Sequence, residues 1–104
     1  EVIQNTDNFH LLDQAHFKKA QIFKKQQKYQ RAVEQYDKLV NEHSDSFLVD
    51  NALFSMANIQ YDKLNLTEDA QKNLETLIFN YHVSIYFTEA RKLYRKIRGD
   101  QNLQ

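Results

Sequence analysis

Tyr29-Gln30-Arg31-Ala32-Val33-Glu34-Gln35-Tyr36-Asp37-Lys38-Leu39-Val40 decides the fold, because the chain matches itself 38 residues further on. Ala32 returns as Ala70, Leu39-Val40 as Leu77-Ile78, Ser46 as Ser84, Phe47 as Ile85 and Ala52 as Ala90. A fixed period of this length marks units that cannot bury their apolar faces alone and must stack. Within the stretch, Tyr29, Ala32, Val33, Tyr36, Leu39 and Val40 fall on one stripe of an α-helix. Ala70, Leu74, Leu77, Ile78 and Tyr81 repeat that stripe.

Outward from these two stripes the rest of the chain also reads as helix. It has no Pro and one Gly, so the turn residues that strands require are nearly missing. A first helix is predicted from about Phe9 to Gln26, capped by Thr6, Asp7 or Asn8. The second runs from Tyr29 to about His43. A third, capped from Ser44-Asp45-Ser46 and reaching about Leu64, is apolar nearly all round and belongs in the middle of the stack. A fourth begins with Thr67 as cap after a turn at Asn65-Leu66, with Glu68 and Asp69 suited to its first turn. A fifth, capped by Ser84, turns Tyr86, Ala90, Leu93, Tyr94 and Ile97 inward and ends at Gly99 as its C′ residue. Short turns make neighbours antiparallel. The expectation is an all-α domain of helix–turn–helix repeats over residues 9–98, flanked by segments 1–8 and 99–104. The start at Glu1-Val2 reads as a piece of a longer chain, with any targeting segment outside it.

Net charge is zero, but its distribution is uneven. Residues 18–31 hold six bases and no acid, residues 34–89 ten acids against three bases, and residues 91–98 five bases and no acid. The pattern suits end-to-end contacts between copies or repeats and gives no global pull toward nucleic acid. No Cys is present, which removes disulfides, thiolate metal sites and a Cys nucleophile. His10, His16, His43 and His82 form no pair at helical spacing, so no metal or other cofactor is expected. No phosphate-binding Gly loop and no nucleophile elbow occur, which argues against an enzyme. Arg98-Gly99-Asp100 reads as a helix end, and Asn65-Leu66-Thr67 as a turn plus cap.

Each unit pairs small residues where two helices must approach: Ala20 with Ala32, then Ala57 with Ala70. Tyr36 and Leu74 follow one turn after the second Ala of each pair. This resembles the tetratricopeptide repeat, in which two small residues let paired helices pack and a large residue follows. The resemblance covers about residues 13–98, as two repeats of a right-handed solenoid plus a lone capping helix. The period is longer than the usual 34 or so residues, and Ser44 and His82 stand where a Pro is common. A HEAT-like array also suits the period, but the paired alanines favour the tetratricopeptide type. The junction Leu-Val/Ile, then Ser-x-Phe/Ile, then Ala looks like the bacterial cell-envelope group of such repeats. So does the basic run Glu89–Arg98. That group includes outer-membrane assembly lipoproteins and periplasmic proteins of the Tol–Pal system, and the resemblance implies a periplasmic or outer-membrane-associated setting.

The resemblance also implies a concave groove lined by the first helix of each unit. Aligned on Asp13, Asp50 and Thr88, the lining positions are Gln14, Phe17, Gln21 and Lys24, then Asn51, Phe54, Asn58 and Tyr61, then Glu89, Lys92 and Lys96. Phe17 and Phe54 would floor the groove, amides would pair a peptide backbone and lysines would take a carboxylate. Asn58 and Lys92 fall where some such repeats clamp a peptide carboxylate. The competing reading of both Phe residues is helix-on-helix packing. Arg91, Arg95 and Arg98 lie on the row that faces a partner helix in earlier units (His16, Ala20, Phe23; Leu53, Ala57, Gln60), so the fifth helix is expected to cap the stack with a polar face. Two functions are open: a non-enzymatic scaffold that binds a segment of another protein, and an oligomerisation module that associates through its repeat ends.

Overall fold

The computed structural model describes the backbone of residues 2–102 and the side chains of residues 12–99. Five helices follow one another: α1 Val2–Lys25, α2 Tyr29–Glu42, α3 Val49–Asp62, α4 Thr67–Asn80 and α5 Phe87–Asn102. No strand occurs among the described residues. Each helix packs chiefly on its neighbours in the chain, which produces an elongated body of 56 × 31 × 17 Å. This is an all-α repeat solenoid. No helix among the described residues is long and apolar enough to cross a membrane.

The 38-residue period is present in the backbone itself. His43 and Tyr81 close α2 and α4 with φ/ψ of −132°/53° and −132°/57°. Their amides donate to Leu39 and Leu77 carbonyls, both at 2.9 Å. The amides of Ser46 and Ser84 then return to the His43 and Tyr81 carbonyls, at 2.9 and 3.0 Å. Each serine hydroxyl takes the amide two residues on, Leu48 or Tyr86, at 3.0 Å. Lys28 and Leu66 lead into α2 and α4 with nearly equal angles, −93°/70° and −101°/69°. The residues before them, Gln27 and Asn65, both hold left-handed backbone, with φ of 62° and 58°. At Gln27 the closure is complete: Lys28 donates back to Phe23 and Gln27 to Lys24, the paired bonds of a Schellman end.

Ala20, Ala32, Ala52, Ala57, Ala70 and Ala90 are all fully buried, and Tyr36, Leu39, Leu53, Met56, Leu74, Leu77 and Ile97 fill the space between them. The paired alanines therefore sit at the close approaches of the helices. One polar tie also joins each consecutive pair. His16 meets Gln35 at 2.9 Å between α1 and α2, and Tyr36 bonds Ser55 between α2 and α3. Asn73 donates to Gln60 at 2.8 Å between α3 and α4. Tyr94 donates to Glu75 at 2.9 Å between α4 and α5. Buried polar groups need such partners, so these ties help fix which faces meet.

Several expected helix ends move. α1 begins at Val2, so Thr6, Asp7 and Asn8 lie inside a helix rather than ahead of one. α3 begins three residues after Ser46 and ends at Asp62 rather than Leu64, because Ser46 first closes a tight turn onto Leu48. Thr67 is the first residue of α4, not its cap, and makes no capping bond; Leu66 occupies the cap position. Gly99 is inside α5, which continues to Asn102, and no Gly in the chain has positive φ. The expected boundaries at 8/9 and 98/99 both fall within helices.

Candidate functional site

α1 and α3 are the first helices of successive units, and α2 lies behind them. Between them opens a groove of about 990 Å³. Its floor combines Phe54 of α3 with Tyr29 and Tyr36 of α2, and its α1 wall carries Gln21, Ile22 and three lysines, Lys18, Lys24 and Lys25. Lys63, in the turn after α3, adds a fourth cation and sits 5.7 Å over the Tyr29 ring. Asp62 is the single acid on the lining. Four cations against one acid give the mouth a positive potential, although the whole chain is neutral.

A row of hydrogen bonds stiffens the floor. Asn51 donates from Nδ2 to the Tyr86 hydroxyl at 2.7 Å. Its Oδ1 accepts from Ser55 Oγ at 2.8 Å. Ser55 also bonds the Tyr36 hydroxyl. Burial raises the Tyr36 pKa above its ordinary value, partly offset by that bond. The row links α2, α3 and α5 through four side chains. It holds the aromatic floor in place and engages both the Nδ2 and the Oδ1 of Asn51.

The structure sorts the expected groove residues into those that line this opening and those that do not. Gln21, Lys24, Asn51, Phe54 and Asn58 line it together. Asn58 also donates Nδ2 to the Phe54 carbonyl at 2.8 Å, a bond within its own helix. Phe54 stacks on Tyr86, with ring centres 5.2 Å apart. Phe17 meets Tyr36 edge-on at 6.0 Å and packs α1 on α2 instead of lining the opening. Gln14 is exposed on α1 outside it. Tyr61, Lys92 and Lys96 belong to the α3–α5 side: Lys96 Nζ lies 5.7 Å over the Tyr61 ring. Lys92 pairs with Glu89 at 3.4 Å on the surface of α5.

Tyr29, Tyr36 and Lys63 fall outside the aligned row, which holds first-helix positions alone. Tyr29 and Tyr36 come from a second helix, whose stripe reads as core, and Lys63 from a turn. Lys18 and Lys25 were visible as part of the basic run 18–31 but were not on the aligned row.

Residues 14–46 match the family model of the tetratricopeptide repeat. No curated protein and no solved structure matches the chain. The matched stretch spans the main part of α1, all of α2 and the turn to Ser46. The α1–α2 pair is thus similar to one such repeat, and the ladder of helices around it is consistent with a stack of repeats. Repeats of this kind generally mediate protein–protein interaction, and their solenoids are typically non-enzymatic scaffolds.

Proposed function

We propose that the chain is a protein-interaction scaffold whose α1–α3 groove binds an extended, acidic segment of a partner protein. The observation that carries this is the groove itself: an open aromatic floor flanked by four lysines and one acid. Phe54 and Tyr29 offer half-exposed apolar area with few rotamers to lose. Lys18, Lys24, Lys25 and Lys63 supply charge complementarity, which sets partner choice and encounter rate more than raw affinity. Gln21 and Asn58 supply polar contacts for a peptide backbone. The repeat junction supports a bacterial cell-envelope setting for this work.

Selection from a randomised peptide display library tests the proposal. Enrichment of Asp- and Glu-rich peptides is expected. Their affinity should fall about tenfold, or 1.4 kcal/mol, in the Lys24→Glu/Lys25→Glu double variant. Peptides without acidic bias, or indifferent to both changes, contradict it.

Exposed apolar side chains support a second reading, self-association through the repeat ends. Leu12 is 51% exposed, and Phe47, Val83 and Ile85 are each more than 80% exposed. A concentration-dependent dimer in sedimentation, lost on changing Phe9 and Leu12, would favour it. The Phe9 side chain lies outside the described residues.

A further inference from the structure

Away from the groove, α1 and the end of α2 bring His16, Glu42 and His43 together. One ligand atom from each lies within 4.8 Å of the others. Spacing along the sequence does not show this, because the residues come from two elements. We propose that His16, Glu42 and His43 form a site for a borderline divalent metal ion, above all zinc, which ties α1 to the C-terminal end of α2.

The donor set suits the ion. Two neutral imidazoles and a carboxylate are ordinary zinc ligands, with a fourth position left for water. His16 is already turned for the task. Its Nδ1 meets the Gln35 Oε1 acceptor at 2.9 Å, so Nδ1 carries the proton. Nε2 is then the lone-pair atom, and it faces Glu42 Oε1 at 3.9 Å. A second hydrogen bond of this kind orients and strengthens most metal-bound imidazoles. The His16 and His43 rings are tilted by 49° with centres 5.7 Å apart, which leaves room for their edges to turn toward a common point.

Tetrahedral zinc at about 2.0–2.1 Å from each donor needs ligand atoms roughly 3.3 Å apart. No separation here needs to close by more than about 1.5 Å. Glu42, on a well-exposed side chain, has the freedom to make that move. The location helps as well: Glu42 is the last residue of α2 and His43 its C-cap. A cation there meets the negative end of the helix dipole. His43 is buried and His16 largely so, which leaves solvent access on the Glu42 side.

The test is metal titration of the whole chain after chelator treatment, with Zn²⁺ by calorimetry and Co²⁺ by visible absorption. One ion per chain is expected, with tetrahedral cobalt bands. At hundredfold excess over Kd, Tm should rise by about 10 °C. His16→Gln and Glu42→Gln should each weaken binding at least about tenfold, and Gln35→Leu, which touches no metal, also about tenfold. His82→Gln, outside the cluster, should bind as the parent does. Should the buried His43→Gln variant fail to fold, the more exposed His16 and Glu42 variants still decide the matter. The proposal is overturned by the lack of saturable binding of either ion. Binding that survives both His16→Gln and Glu42→Gln, or that His82→Gln abolishes equally, also overturns it.

Discussion

Gln27 holds left-handed backbone at φ 62° without being a glycine. A side chain in that region costs about 1 kcal/mol or more, through Cβ against the following carbonyl. Gln27→Gly removes the clash but loosens the unfolded chain. The net expected gain is about 0.5 kcal/mol, read as a rise in Tm by calorimetry; a lower Tm would count against a strained turn. Tyr36 makes a second prediction. Its pKa is raised in the fold, so the folded protein holds the phenol proton more tightly than the unfolded chain does. That contribution is complete below the ordinary tyrosine value near 10 and is lost as pH rises through the folded value. Urea midpoints should fall above about pH 10 in the parent. They should fall less steeply in Tyr36→Phe, which starts about 1 kcal/mol lower for loss of the Ser55 bond. Parallel pH profiles would show that Tyr36 is not the source.

At the scale of the element, Ser46 and Ser84 perform the same act in two places. Each hydroxyl holds the amide two residues ahead at 3.0 Å. Ser46→Ala and Ser84→Ala should each cost about 1 kcal/mol in chemical denaturation, and by similar amounts, because the geometry repeats. A loss at only one site would break the equivalence. The elements were legible because apolar period and small-residue pairs are long-range signals repeated along the chain. Ala32 and Ala70 pointed to the close helix approaches, and both are fully buried. The helix ends were less legible. Thr67 and Gly99 carry the residue types of a cap and a stop, yet both are helical. At Thr67 the αL residue Asn65 has already closed the turn, and Gly99 does not adopt the positive φ of a C′ glycine.

At the scale of the whole molecule, the lone fifth helix and the groove are consequences of one stacking rule. Arg91, Arg95 and Arg98 are exposed on α5. Arg91 and Arg95 border a small hollow with Ile78 and Phe79 of α4. Arg95→Leu joins that apolar edge and should increase self-association; an unchanged monomer fraction by light scattering would count against a solvated end face. The groove was half legible. Helical register gave Gln21, Lys24, Asn51, Phe54 and Asn58, since one face of one helix can be read by spacing alone. The floor tyrosines were hidden because Tyr36 is both core and lining: its ring packs at 2% exposure while its hydroxyl bonds Ser55 on the groove. Chemical-shift mapping with the tightest selected acidic peptide tests the central claim most directly. Amide shifts clustered at Gln21, Lys24, Phe54 and Asn58, with α4 residues such as Lys72 and Thr76 still, are the predicted result. Shifts centred on α4, or none at saturating peptide, would contradict a groove that binds a partner segment.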